Sequence, residues 1–350
     1  MPEIIQKLQE LSEISGVSGD EGRVRAWLQP QLENHVDQIQ VDAVGNLICY
    51  KKGSGEQDLR LMLTAHMDEV GLMVVGYNSD GTLQVETIGG IPARTLPGLH
   101  VNVGSTPLPG VIGIKAIHRM EQKSENSAPA VSALAVDIGA TTADEAKRCA
   151  PLGTSISFVT KFTTMEETVY GKALDNRVGC AILLTLLQGE LFPFDVFGVF
   201  TVQEEVGLRG ATVASYRINP DVAIVLEGTL ADEYPREDQD VSTTSKLGLG
   251  PAITVKDRTY ITPPRLLKHF VQTAEKYSLT YQLKQPGISG TEAGSIHKSR
   301  SGVPVITVAV PCRYIHSPIS LTRIRDIQNT YELVNTAVRA LQADTLNFPD

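Results

Sequence analysis

One apolar run of the chain reads Val196-Phe197-Gly198-Val199-Phe200-Thr201-Val202-Gln203-Glu204-Glu205 and closes on two adjacent carboxylates. A continuous run of this kind is typical of a strand that is buried on both faces, as in a sheet covered by helices. Three further apolar runs, at residues 60–65, 222–226 and 303–310, lead to residue types that bind metals, namely His66, Glu227 and, through residues 311–315, His316. These runs predict an α/β fold.

The functional crevice of such a sheet lies outside the carboxyl ends of its strands. The polar side chains that follow the four runs are therefore expected to converge at one place: His66, Asp68, Glu204, Glu205, Glu227 and His316. Two histidines and several carboxylates, without a cysteine, suit zinc or another borderline divalent metal. The sequence thus predicts a metal site at this edge of the sheet.

The composition of the 350-residue chain excludes several classes of protein. Its formal net charge of −9 argues against a nucleic-acid-binding protein, which would need a basic face. No apolar stretch approaches the roughly 18 residues of a membrane-spanning helix, so no membrane partner is predicted. The four cysteines are scattered without a C-x-x-C pair, and residues 1–7 lack the apolar core of a signal peptide. Together these features predict a cytoplasmic protein.

The composition and the hydrophobic pattern of the sequence change between residues 72 and 163, where Gly, Pro and Thr become frequent and short alternating apolar runs appear. We interpret residues 72–163 as an inserted β-rich domain, and residues 1–71 and 164–350 as one discontinuous α/β catalytic domain. A lone small β domain would leave unpaired strand edges, which proteins usually cover. We therefore expect the insert to build a homodimer.

Taken alone, each candidate site residue has an ordinary explanation. A histidine at a strand end is often a hydrogen-bonded loop residue, an acidic pair is often a solvated turn, and Asp175 is a plausible N-cap of the helix that follows it. Outside the candidate site, Ser18 and Asp20 are N-cap candidates for an earlier helix. The combination is more informative, because two metal ions about 3.5–4 Å apart need roughly one histidine each, one terminal carboxylate each and one bridging carboxylate. The chain offers that inventory in His66, His316, Glu227, Glu205 and Asp175.

Two acidic residues then remain for other roles. Glu204 could take the proton of the attacking water and deliver it to the leaving amine, and Asp68 could fix the tautomer of His66. A hydroxide bridging the two metals would be the nucleophile, since metals bring the pKa of bound water towards ~7. Motifs for rival chemistry, such as H-E-x-x-H, G-x-S-x-G and the P-loop, do not occur in the sequence.

Five segments together resemble the M42 metallo-aminopeptidases, the glutamyl-aminopeptidase or TET-type enzymes. They read Asp42-Ala43-Val44-Gly45-Asn46-Leu47, Ala65-His66-Met67-Asp68-Glu69-Val70-Gly71, Ala173-Leu174-Asp175-Asn176-Arg177, Gln203-Glu204-Glu205-Val206-Gly207-Leu208-Arg209-Gly210 and Arg313-Tyr314-Ile315-His316-Ser317-Pro318. The His66-Met67-Asp68 motif alone would also fit the related M20 and M28 peptidases, but the segment from Arg313 to Pro318 points to M42. The chain departs from the family at two positions. Glu227 stands where relatives often have Asp, and Glu292 stands where many relatives have the Asp of a Gly-Thr-Asp-Ala motif.

The resemblance implies a phosphorylase/hydrolase-like zinc-peptidase domain with helices on both sides of a mixed sheet, plus a β-rich dimerisation domain. Members often assemble as tetrahedral dodecamers. Two zinc or cobalt ions per subunit are implied, with manganese as a third candidate. The resemblance implies that Asp175 bridges the two ions, that His66 and Glu227 complete one site, and that Glu205 and His316 complete the other. It also implies that Glu204 is the general base and that Asp68 supports His66.

The predicted function is therefore a dimetal aminopeptidase that hydrolyses N-terminal residues from short peptides. One alternative is a related dimetal N-deacylase or carboxypeptidase, which a requirement for a free α-amine would separate. Another is a non-catalytic assembly protein, whose signature would be a lost base or ligand, and the sequence has lost none of them.

Overall fold

The computed structural model describes residues 3–114, 128–234, 244–286 and 290–346. Its centre is an eight-stranded mixed sheet, with the strands numbered in chain order. From one edge to the other they are β1 (Gln38–Val41), β2 (Leu47–Lys51), β12 (Asp195–Thr201), β3 (Arg60–His66), β13 (Val222–Leu230), β16 (Val305–Cys312), β14 (Ala252–Thr254) and β15 (Gln282–Lys284).

The four central strands of this sheet run parallel, in the order β12, β3, β13 and β16. Strands β2 and β14 flank them in the antiparallel direction. In the β12–β3 ladder Thr201 pairs with His66, the last residue of each strand. The segments that follow these strands therefore leave the sheet side by side at its carboxyl edge, where ligands bind in folds of this type.

Helices cover both faces of the sheet. The α-helices of the described chain are α1 (Glu3–Glu13), α2 (Gly22–Leu32), α3 (Ala143–Cys149), α4 (Leu174–Gln188), α5 (Arg209–Ile218), α6 (Pro264–Lys276), α7 (Ala293–Ile296) and α8 (Ile324–Arg339). Alternate residues of β3 point to opposite faces. Leu61 and Leu63 join a core with α1, α2, α4, α6 and α8, while Met62 joins a second core with α5 and α7. The predicted α/β fold is confirmed.

The β-rich insert forms a closed barrel of six strands. Their order is β4 (Gly71–Tyr77), β5 (Leu83–Ile88), β8 (Leu134–Asp137), β7 (Leu108–Ile114), β6 (His100–Val103) and β9 (Ser155–Phe158). The barrel has its own apolar core, to which α3 contributes Ala146. Because β9 pairs back with β4, each of these strands has two neighbours. The expectation of unpaired strand edges is therefore wrong, and a dimer needs a different justification.

A small third sheet consists of β10 (Thr163–Met165), β11 (Thr168–Gly171) and β17 (Ser320–Arg323). It pairs the segment that leads into α4 with the segment that follows His316. Short 3-10 helices lie at Ala93–Thr95, Val131–Ala133 and Ala343–Leu346. Within the described ranges, none of the helices has the length and apolar character needed to cross a membrane.

Candidate metal centre and active site

His66 is the last residue of β3 and is buried. Its Nε2 atom lies 3.3 Å from Oδ1 of Asp175 and 3.3 Å from Oε1 of Glu227. Its Nδ1 atom lies 3.1 Å from the carbonyl oxygen of Asp68. With the proton on Nδ1, the ring donates to that carbonyl and presents Nε2 to the two carboxylates, which is the tautomer that a metal-binding histidine requires.

Asp175 lies between the two histidines. Its Oδ1 atom faces His66, and its Oδ2 atom lies 3.5 Å from Nε2 of His316. The same nitrogen of His316 is 3.5 Å from Oε2 of Glu205, while Nδ1 of His316 is 3.0 Å from the carbonyl oxygen of Gly90. The Asp175 carboxylate thus connects the ligand atoms around His66 with those around His316. The peptide bond between Asp175 and Asn176 is cis.

Ligand atoms fall into three sets whose members all lie within 4.8 Å of one another: His66, Asp175 and Glu227; Asp175, Glu205 and His316; and His66, Glu204 and Glu205. The first two sets share only Asp175. Every sequence-predicted site residue except Asp68 belongs to at least one set. The structure therefore brings all the predicted ligand positions together at the carboxyl edge of the sheet.

Asp68 is fully buried and holds the loops around the site rather than facing the cavity. Its carboxylate accepts hydrogen bonds from the Ser18 hydroxyl at 2.6 Å and from the backbone amides of Glu204 at 3.0 Å and Glu205 at 3.1 Å. Burial disfavours its charge, but hydrogen bonds from His66 and Ser18 outweigh this effect and lower the pKa of Asp68. Asp68 therefore positions a histidine and the acidic pair together.

Two expectations about helix caps are wrong. Neither Ser18 nor Asp20 caps α2, whose N-cap residue is Glu21 and which has no side-chain cap bond. The Ser18 hydroxyl donates to Asp68 instead. Asp175 does not cap α4 either: its backbone is not helical, and the Asn176 side chain accepts the cap bond from the Gly179 amide at 3.0 Å. In both cases the polar side chain contacts a residue of the candidate site and does not bind a helix amide.

The carboxylates of the cluster differ in their ionisation. Burial is the largest cause that raises the pKa of Glu227 to about 8 and that of Glu205 to about 7, and it raises the pKa of Glu204 well above the usual range. Asp175 behaves in the opposite way: burial raises its pKa, but hydrogen bonds with His316 and His66 outweigh burial and lower it. The hydrogen bond to Asp175 raises the pKa of His316 to about 9. Negative charge is thus crowded around two histidines.

The residues present fit a pair of divalent cations. Glu227 Oε2 is buried and has no hydrogen-bond partner. Buried polar atoms normally have a partner, so an orphaned carboxylate oxygen next to a histidine nitrogen fits the role of a cation ligand. The donor atoms are imidazole nitrogen and carboxylate oxygen without thiolate, which suits zinc, cobalt or manganese rather than a soft metal.

The backbone makes room for the second histidine. Tyr314 and His316 have φ angles of 61° and 58°, a left-handed conformation that is uncommon outside glycine and often found at functional sites. A Cβ atom at Gly90 would lie 3.3 Å from Nδ1 of His316, and one at Gly228 would lie 3.1 Å from Cα of Asp175. Glycine at these two positions permits the close approach. Sequence reasoning missed Gly90, although the Gly89-Gly90 pair was a usable signal.

Behind the site, a buried ionic cluster joins three segments. Nζ of Lys172 lies 2.5 and 2.7 Å from the two carboxylate oxygens of Glu69, which also accepts from the Gly16 amide at 2.9 Å. Arg177 donates to the Ile14 carbonyl at 3.1 Å. The cluster thus ties the loop after α1 to the residues next to Asp68 and Asp175, and neither Glu69 nor Lys172 was singled out from the sequence.

A cavity of about 420 Å³ opens over the two histidines. Its walls include the candidate metal ligands His66, Asp175, Glu227 and His316, the candidate base Glu204, and also Thr229, Leu230, Thr244, Lys284 and Thr291. Glu292 does not line it: this residue is fully buried and accepts hydrogen bonds from Thr64 and Thr201. The departure from the family at Glu292 therefore lies outside the cavity wall.

Comparison with known proteins gives consistent matches. The sequence profile of the M42 glutamyl aminopeptidases matches residues 45–333. The lysyl aminopeptidase of Pyrococcus furiosus is 32% identical over 89% of this chain and 89% of its own length. An aminopeptidase of Desulfurococcus kamchatkensis has a similar structure, with a TM-score of 0.92, 33% identity and coverage of 98% of this chain and 96% of the other.

A further similar structure is the TET1 peptidase of Pyrococcus horikoshii, which is described as assembling into a tetrahedron or a large octahedral shell. The two chains align with a TM-score of 0.85 and 30% identity, over 97% of this chain and 100% of the other. The similarity therefore includes the sheet, the barrel and the segments that carry the candidate site.

Proposed function

Since the chain belongs to the M42 glutamyl aminopeptidase family and is a hydrolase of peptide bonds, we propose that it is a dinuclear metal-dependent aminopeptidase that removes N-terminal residues from short peptides. The observation that carries this proposal is the position of Asp175, whose two carboxylate oxygens each face a different histidine. A single carboxylate in that position can bridge two cations.

Two groups of side chains would hold the cations. One consists of His66, Asp175 and Glu227, and the other consists of Asp175, Glu205 and His316. When bound, divalent cations supply Lewis acidity towards the scissile carbonyl and bring the pKa of water towards ~7. Zinc and cobalt are the first candidates and manganese is the third, because all three accept this donor set.

Glu204 is the proposed general base. Its side chain lines the cavity within the set that includes His66 and Glu205. Burial raises its pKa, which suits a carboxylate that takes a proton from the attacking water and then releases it to the leaving amine. The hydrogen bond from its backbone amide to Asp68 holds it in this position.

The charge of the cavity favours cleavage at a peptide's N-terminus over the deacylase alternative. Glu204 places a carboxylate on the cavity wall beside the proposed metal ligands. A free α-ammonium group is attracted to such a region, whereas an acylated amine has lost its charge. The family profile and the similar lysyl aminopeptidase support the aminopeptidase over the carboxypeptidase alternative.

We also propose that residues 72–163 are the oligomerisation domain and that residues 1–71 and 164–350 form the catalytic domain. The barrel's separate apolar core supports this division. The similarity to the TET1 peptidase supports assembly of homodimers into a larger shell.

The function is tested with aminoacyl p-nitroanilides after reconstitution with zinc or cobalt. We expect hydrolysis of unblocked substrates by the loaded enzyme and none after chelation. A protein that holds two equivalents of metal but cleaves none of a broad panel of unblocked aminoacyl substrates would contradict the proposal.

A further inference from the structure

Glu292 is a fully buried carboxylate that lies behind the candidate metal centre and does not line its cavity. It directly precedes α7, which packs on the same face of the sheet as α5. The hydroxyl groups of Thr64 and Thr201 both donate to it. Among the residues that the structure describes, no Lys or Arg side chain forms an ion pair with Glu292. A carboxylate buried to this degree normally has a cationic partner, and two hydroxyl donors leave its charge uncompensated.

The two hydroxyl donors place this carboxylate next to His66. Thr64 and His66 are two positions apart in β3, so their side chains lie on the same face of the sheet, about 7 Å apart along the strand. Thr201 is the residue of β12 that pairs with His66. Burial raises the pKa of Glu292 to about 6, and attraction to His66 is the strongest of the effects that oppose this rise. Positive charge at His66 therefore stabilises the ionised form of Glu292, and the attraction is mutual.

The two candidate ion sites lie on either side of the Asp175 carboxylate, whose Oδ1 atom faces His66 and whose Oδ2 atom faces His316. The His66 site consists of His66, Asp175 and Glu227, and the His316 site consists of Asp175, Glu205 and His316. Glu292 acts on the first of these sites through His66. It also acts there on Glu227, whose pKa burial raises to about 8 and repulsion by Glu292 raises further. The negative charge of Glu292 is therefore placed to affect one site more than the other.

We propose that Glu292 is a positioning residue of the metal centre, whose buried negative charge strengthens binding of the ion at the His66 site and has little effect at the His316 site. Glu292 belongs to neither ligand set, so it acts on the ion from behind His66 and does not ligate it. This inference rests on the proposed dinuclear function. The competing role is purely structural: Glu292 would then only tie α7 to the ends of β3 and β12 through its hydrogen bonds.

Two substitutions separate the charge of Glu292 from its hydrogen bonds. Glu292→Gln keeps the length of the side chain and can still bond both hydroxyls, because an amide has an acceptor and a donor and a hydroxyl can play either role. Glu292→Asp keeps the charge but is one methylene shorter. If the charge matters, Glu292→Gln should weaken the His66 site more than Glu292→Asp does. A purely structural role predicts the reverse order.

Zinc affinity is measured for each site separately, by competition with a chromophoric chelator. His316→Ala leaves the His66 site as the intact one, and His66→Ala leaves the His316 site. In the His316→Ala background we expect Glu292→Gln to lower zinc affinity about 10- to 100-fold, the usual effect of changing a group behind a metal ligand. In the His66→Ala background the affinity should stay within about twofold, as expected for changes that do not interact.

Asp326 provides the matched control. It is as fully buried as Glu292, and its carboxylate also accepts two hydrogen bonds, from the amides of Gly248 and Gly250. It lies on α8, on the opposite face of the sheet from α7. Asp326→Asn should therefore leave zinc affinity unchanged in both backgrounds, whatever it does to stability.

Three results would overturn the proposal and leave the aminopeptidase function intact. They are equal weakening of both sites by Glu292→Gln, unchanged affinity at the His66 site, and a larger loss with Glu292→Asp than with Glu292→Gln. If Glu292→Gln does not fold, Glu292→Asp decides alone, because a loss of about tenfold or more at the His66 site despite the retained charge would overturn the proposal. Wild-type protein that binds no zinc at either site would instead refute the function and the inference together.

Discussion

Oε1 of Glu227 lies 3.3 Å from Nε2 of His66, while the other carboxylate oxygen of Glu227 is buried without a hydrogen-bond partner. The two residues come from neighbouring parallel strands, and each lies two positions beyond the paired residues Val225 and Thr64. Their juxtaposition is therefore fixed by the register of the sheet rather than by a loop. A rigid pair of this kind is preorganised for a cation, because little has to move when the ion binds.

Metal content is the first prediction. Protein reconstituted with zinc or cobalt and then desalted should hold about two equivalents, as expected for a dinuclear site. His66→Ala should mainly weaken one site and His316→Ala the other, because each histidine belongs to a different set around Asp175. His35→Ala, at an exposed position, is the matched control and should keep both ions. A wild-type stoichiometry near zero after reconstitution would refute the proposed centre.

The stability of the metal-free protein should depend on pH. Burial raises the pKa of Glu227 from 4.5 to about 8 and that of Glu205 from 4.5 to about 7, while the hydrogen bond to Asp175 raises that of His316 from 6.5 to about 9. The folded state therefore holds more protons than the unfolded state across this range. Stability is greatest below the unfolded pKa values and falls as the pH rises through the folded ones, between about pH 5 and pH 9.

Urea unfolding in the presence of a chelator measures this slope. Glu227→Gln should reduce it, because the amide does not ionise, and added zinc should flatten it by replacing protons at the site. A metal-free free energy of unfolding that stayed constant or increased over the same range would contradict the assigned shifts.

The third prediction separates the base from the ligands. Glu204→Gln keeps the size of the side chain but cannot accept a proton, so kcat should fall about 10²–10⁴-fold, the usual scale for a positioned acid–base residue. Both metal ions should remain bound. Glu205→Gln is the companion variant and should instead weaken metal binding, since Glu205 faces His316. Near-normal turnover by Glu204→Gln would place the base elsewhere.

Much of the fold and the site was predictable because the candidate metal ligands and the candidate base lie at or just after the ends of apolar strands. Continuous apolar runs identify buried parallel strands, and the polar residues that follow them must meet at one edge of the sheet. The contacts of Ser18 with Asp68 and of Gly90 with His316 join residues far apart in sequence and leave no local pattern. Closure of the barrel between β4 and β9 is equally non-local, so the edge argument failed.

Oligomeric state is the fourth prediction. The barrel domain exposes the apolar side chains Val75, Val111 and Leu152, and the TET1 peptidase to which this chain is similar is described as assembling into a shell. Light scattering at micromolar concentration should therefore give a mass of a dimer or a multiple of it. A single species at 37.9 kDa, the mass of one chain, would count decisively against a homo-oligomer.

The last prediction concerns the free α-amine of the substrate. The amine carries a positive charge and, once deprotonated, a lone pair for coordination, and Glu204 places a carboxylate on the wall of the cavity that it enters. Acetylation removes both properties. N-acetylation of a good tetrapeptide substrate should therefore lower kcat/KM about a hundredfold or more, which corresponds to roughly 3 kcal/mol of lost transition-state stabilisation. The measurement is a paired assay of one tetrapeptide with and without the acetyl group. Equal rates, or release of free acetate, would move the assignment to the deacylase alternative.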